Sequence, residues 1–74
     1  MRKSRAENVL DAKIVIINVM QKEFNISFDE LSDILQKYNI LWYIDLCYEA
    51  FNSMGIKGIL LDIKDYIREQ GGNI

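Results

Sequence analysis

The stretch KIVIINVM, residues 13–20, decides how the chain is read. Five of its eight residues are β-branched, so it suits a buried strand as well as a helix. Its surroundings favour a helix. The segment around it continues for about twenty residues without Gly or Pro, well beyond an ordinary strand of about 5–6. Upstream, SRAE places Ser4 three residues before Glu7, the spacing of a capping box, in which the hydroxyl and the carboxylate satisfy backbone donors at a helix start. A helix over about 5–22 follows, with a strand at 13–20 as the alternative.

Further along, ISFDEL carries the clearest local signal. Ser27 is placed to cap and Glu30 to complete the box, while Ile26 and Leu31 hold the positions of a hydrophobic staple. Phe28, Leu31, Leu35 and Tyr38 then recur at helical spacing on one face. Asp29, Glu30, Ser32, Asp33, Gln36 and Lys37 take the other. This predicts a helix over 28–38 with an acidic first turn that complements its dipole. Asn39 tolerates the left-handed conformation and can also precede a helix, so it predicts a very short corner.

A third helix over 40–53 contains most of NILWYIDLCYEAF, residues 39–51, with four aromatic residues and no Lys or Arg. On a helical wheel Ile40, Leu41, Tyr43, Ile44, Cys47, Tyr48 and Phe51 spread over roughly 160°, wide enough for a central core helix. Asp45, Glu49 and Asn52 share one narrow face, and Trp42 falls with them. Trp42 either folds back over the helix end as core or stands as an exposed anchor rimmed by carboxylates. Trp42, Asp45, Glu49 and Asn52 are therefore the candidate partner-binding residues. Gly55 offers a stop, GIKGILL reads as a turn, and a last helix over 60–70 has a buried stripe of Ile59 or Leu60, Ile63, Tyr66 and Ile67 before the Gly71–Gly72 pair. The fold class is all-α: a single domain, 1–74, of about four helices with a short basic segment at 1–5.

A chain of 74 residues buries only about 60–65% of its unfolded surface, and its net stability falls at roughly 4–11 kcal/mol. Half the residues are hydrophobic and none is Pro, which suits a packed helical domain. The lone Cys47 cannot form an internal disulfide, and no apolar run is long enough to span a bilayer. These features predict a cytoplasmic protein. Charge is uneven: Arg2, Lys3, Arg5 and Lys13 against Glu7 and Asp11 leave the start basic, whereas the net charge of the whole is −2. An acidic body with a basic start suits a basic protein partner better than a broad nucleic-acid surface.

Catalysis has little to work with. There is no His, and Cys47 has no imidazole to activate it. Asp62, Asp65 and Glu69 share a helical face but read as a solvated one, tempered by Lys64 and Arg68, so neither metal nor cofactor is expected. No Gly-rich phosphate loop is present. The short corner invites comparison with a helix-turn-helix, but residues 40–54 carry Asp45 and Glu49 and no Lys or Arg, the wrong sign for phosphate. Arg2, Lys3 and Arg5 are the only residues that favour a nucleic-acid reading.

Taken together, LQKYNILWYIDLCYEAFNSMG followed by GILLDIKDYIREQG resembles a family of short, uncharacterised bacterial helical proteins. The resemblance covers about residues 10–70. It rests on a corner formed by Leu35, Tyr38, Ile40 and Tyr43, and on a tail formed by Leu60, Asp62, Ile63, Tyr66 and Ile67. Leu35 departs from the family's usual aromatic, and Asn52, Ser53 and Met54 depart from its more polar approach to Gly55. What the resemblance implies is a helical fold and a companion protein encoded nearby with an ADP-ribosyltransferase-like domain; it implies no catalytic residue. The resulting expectation is a non-enzymatic interaction module, antitoxin-like or an accessory subunit. The alternatives are a small nucleic-acid-binding regulator and a structural homo-oligomer.

Overall fold

Residues 13–20 form the middle of a helix, α1 (Arg5–Phe24), in the structure, a computed structural model that describes residues 4–72. The periodicity explains the choice. A strand that buried Ile16 and Met20 would bury Asn18 between them, because alternate residues share a face. In the helix Val9, Ile16 and Met20 face the core, and Asn18 is exposed. Ser4 accepts the Glu7 N–H at 3.2 Å, as its cap position predicts. The helix continues two residues past the expected end and closes at Asn25, whose left-handed backbone (φ 51°, ψ 52°) directs its N–H to the Gln21 carbonyl.

Three residues later α2 (Phe28–Lys37) starts at Ser27. The Ser27 hydroxyl oxygen accepts the Glu30 N–H at 3.2 Å, and the hydroxyl donates to Glu30 Oε1, also at 3.2 Å. Leu31 is buried, and Ile26 packs on the core beside Ile34, Leu35 and Tyr38. Phe28 departs from the expected stripe and is 69% exposed. As the first helical residue its side chain leans back past the start of the helix, beyond the turn that Leu31 buries.

Asn39 makes the corner in the left-handed conformation (φ 53°, ψ 46°), and α3 (Ile40–Leu46) begins at once. The helix expected over 40–53 is divided here. Cys47 adopts φ −97° and ψ 9°, in the sparsely allowed bridge region, and separates α3 from a single turn, α4 (Tyr48–Phe51). Hydrogen bonds from Cys47 N to the Tyr43 carbonyl (3.0 Å) and from Phe51 N to the Cys47 carbonyl (2.8 Å) carry the chain through the break. Ile40, Ile44 and Phe51 are buried, but Leu41 is exposed, because the face that meets the other helices is narrower than the wheel allows.

The last helix, α5 (Ile56–Glu69), starts four residues earlier than expected, so IKGIL is helical rather than a turn. Gly55 is extended and precedes it as the cap, and Ile59 N donates to its carbonyl at 3.1 Å. Gly58 acts inside the helix as a space: a Cβ there would lie 3.3 Å from the Met54 methyl. Ile59, Leu60, Ile63 and Ile67 are buried, Tyr66 is half-buried, and the chain leaves the helix through Gly71 at φ 88°. Helix α1 packs on α3 and α5, and α2 packs on α3. The core contains no buried polar side chain among the described residues.

Two glycines separate two physical roles. Gly58→Ala removes the helix-interior glycine penalty, and the exposed Met54 methyl can give way, so thermal melts are expected to show a gain of about 0.5–1 kcal/mol. Gly72 lies where a Cβ would collide with Ile67 and sit 2.8 Å from the Tyr38 hydroxyl. Gly72→Ala is expected to cost about 1–3 kcal/mol in the same melts, the usual range for overpacking.

Candidate interaction surface

Two of the tyrosines join α3 to α5. Tyr43 of α3 stacks on Tyr66 of α5 with ring centroids 3.9 Å apart and 13° between planes, and Phe51 meets Tyr43 edge-on at 6.0 Å. Each phenol has a partner at its tip: Tyr43 donates to Asp62 Oδ2 at 3.1 Å, and Tyr66 donates to the Tyr38 carbonyl at 2.7 Å. Burial, reinforced by the Asp62 carboxylate, pushes the Tyr43 hydroxyl well above the ordinary phenol range. These are residues of the corner and tail motifs, and the fold brings them together. These bonds and the stacked rings make the cluster a joint between α2, α3 and α5.

The acidic face predicted on residues 40–53 is real but already occupied from within. Arg5, the first residue of α1, lays its guanidinium between Asp45 and Glu49: Nε and Nη2 donate to Glu49 Oε2 (2.9 Å) and Oε1 (3.0 Å), and Nη1 donates to Asp45 Oδ1 (3.1 Å). Nη2 also reaches the Asp45 carbonyl at 3.0 Å. The same group lies 5.6 Å from the Tyr48 ring centre, and Lys13 approaches Asp45 Oδ2 at 3.6 Å. Hydrogen bonds from Arg5 hold both carboxyls below their ordinary range, and the two carboxylates raise the guanidinium in turn. Arg5, one of the three candidate nucleic-acid residues, is thus neutralised locally; Arg2 and Lys3 lie outside the described residues.

Trp42 sits one helical turn before Asp45 and is 51% exposed, with Leu41 and Leu46 exposed on the same short helix. Asn52 falls elsewhere. It lines an apolar groove of about 300 Å³ between α1 and the α4–α5 connection, together with Val15, Ile16, Tyr48, Phe51 and Met54. The fold therefore brings Asp45 and Glu49 together, keeps Trp42 beside them and sets Asn52 on the groove. Sequence reasoning missed the partner that the acidic pair finds in α1, 40 residues or more away along the same chain. The signal was two carboxylates four residues apart in a segment with no cation of its own, which demands one from elsewhere.

The remaining carboxylates of the last helix part ways: Asp62 accepts from Tyr43, and Asp65 pairs with Arg68 at 3.6 Å. Among the described residues no group of three or more His, Cys, Asp or Glu is arranged to hold a metal ion, and no helix is long and apolar enough to cross a membrane.

Two titrations test the site. In an alkaline absorbance titration, one tyrosine is expected to ionise above the usual phenol range, and Tyr43→Phe to abolish that late step. Asp45 and Glu49 have folded pKa values below their unfolded ones. Their stabilisation is therefore complete above the unfolded values and lost as the pH falls through the folded ones. Thermal melts of the wild type and Arg5→Met are expected to differ by a constant gap above about pH 5.5, which closes as the pH drops below roughly 4.

Residues 13–70, which span α2 to α5 and the greater part of α1, match the model of a family described as protein of unknown function, DUF3791. No curated protein and no solved structure matches the chain. With 58 of its 74 residues inside that match, the chain belongs to the DUF3791 family.

Proposed function

We propose that the protein is a non-enzymatic protein-interaction module, an antitoxin-like or accessory subunit that covers part of a companion protein through the Trp42 face of α3. The observation that carries this reading is the exposure of Trp42 at 51% beside Leu41 and Leu46 on a helix of only seven residues. Trp42 and Leu46 are four residues apart and project from the same side. A half-exposed tryptophan flanked by leucines is the composition of an interface anchor, and Asp45 and Glu49 with Arg5 form a polar rim beside it.

Charge selects the partner's character. The body beyond residue 13 is acidic, which favours a companion with a basic patch, while Asp45 and Glu49 themselves are already paired with Arg5 and Lys13. The resemblance drawn from the corner and tail motifs supports a bacterial companion with an ADP-ribosyltransferase-like domain. A single free thiol at Cys47, half-buried, suits a reducing cytoplasm. The motifs supply no acid–base pair, and the tyrosine joint supports a structural role, which is why the reading is not that of an enzyme.

Copurification of tagged protein, with sedimentation of the isolated chain, tests it. Trp42→Ala is expected to weaken partner capture by about 2 kcal/mol or more while the thermal melt stays unchanged. A chain that captures nothing and sediments as a monomer of ordinary stability defeats the reading. Salt-sensitive binding to DNA transfers the function to the nucleic-acid alternative, and self-association lost in Trp42→Ala transfers it to the homo-oligomer.

A further inference from the structure

The break at Cys47 leaves α4 a turn of four residues, far too short to hold itself as a helix. One attachment is Phe51, buried in the core at the end of the turn. The other is Arg5. Its guanidinium spans the break, touching Asp45 on α3 and Glu49 on α4 at once, and it lies against Tyr48, the first residue of α4. It also donates to the Asp45 carbonyl, in the last turn of α3, where helical carbonyls lack partners within their own helix. We infer that Arg5 is a positioning residue that acts as an ionic-strength-sensitive latch, holding α4 against α1 and fixing the geometry of the α3–α4 break.

The chemistry of the latch calls for arginine. Five donors in a planar fork let one side chain bind the Glu49 carboxylate through two bonds while reaching Asp45 with the remainder. A lysine ammonium supplies a point charge and cannot bridge both helices and the carbonyl together. All three charged groups are substantially exposed, so dissolved salt competes directly for them. Release leaves Phe51 as the inner attachment, and the outer face of the turn is then free to open while α5 keeps its own ladder.

Site-resolved amide hydrogen exchange on the full chain tests the latch without any partner. The reporters are the amides of Phe51 and Asn52, which bond to the Cys47 and Tyr48 carbonyls, with those of Ile63 and Ile67 in α5 as controls. In Arg5→Met, and in Glu49→Gln as an independent lesion, exchange at Phe51 and Asn52 is expected to accelerate about fivefold or more beyond whatever rise Ile63 and Ile67 show from the lower global stability. Arg5→Lys is expected to resemble Arg5→Met. High salt is expected to move the wild type toward Arg5→Met and to leave that variant as it was. Unchanged exchange at Phe51 and Asn52, a rise there no greater than at Ile63 and Ile67, or full rescue by lysine overturns the inference.

Discussion

A seven-residue helix has too few internal hydrogen bonds to persist alone in water, so α3 exists because its neighbours bury it. Ile40 and Ile44 are fully buried, and α1 and α2 both pack on the helix they belong to. Everything else is arranged around that burial. Met20 from α1, Leu31 from α2 and Ile63 and Ile67 from α5 belong to the same cluster, each shielded almost completely from solvent. With a net stability of only several kcal/mol to expect at this length, the short central helix and the core stand or fall together.

The polar atoms near the core are matched as closely as the apolar ones. Stacking Tyr43 on Tyr66 would be unfavourable if either hydroxyl were left dry, and each has a defined acceptor, in Asp62 and in the Tyr38 carbonyl. The Tyr38 carbonyl belongs to the residue that ends α2, where helix geometry supplies no donor. One phenol thereby closes the end of α2 from α5, and the other ties α3 to α5. Among the described residues no buried side-chain polar atom lacks a partner.

The features legible in the sequence are those that a few adjacent residues dictate. Ser4 and Ser27 cap where their spacing to Glu7 and Glu30 says they should, and Asn39 turns the corner in the left-handed conformation that few residues accept. The apolar stripe of α5 was equally plain from Leu60 onward. What escaped depends on atoms far along the chain. Cys47 interrupts a run with uniform helical periodicity, and its break is bridged by Arg5, 42 residues earlier. Gly58 reads as part of a turn, GIKGILL, but in place it is a helical residue with a gap beside Met54. Phe28 and Leu41 have the right spacing for burial and nothing over them, because periodicity gives a direction and not a neighbour. For the candidate surface, the wheel grouped Trp42, Asp45, Glu49 and Asn52, and only the path of α1 across that face shows that they serve different surroundings.

The corner at Asn39 has a rotational consequence. With only Tyr38 and Asn39 between α2 and α3, the angle at which α3 presents itself about its own axis is set by two pairs of dihedrals, of which Asn39's left-handed pair departs furthest from the helix. A helix advances about 100° per residue, so one residue more or fewer at this corner would carry Ile40 and Ile44 out of the core and swing a different side chain to Trp42's bearing. The torsions of this two-residue corner thus act as the azimuth of the whole outward face, and the direction in which the tryptophan points is a property of the backbone before it is a property of the side chain.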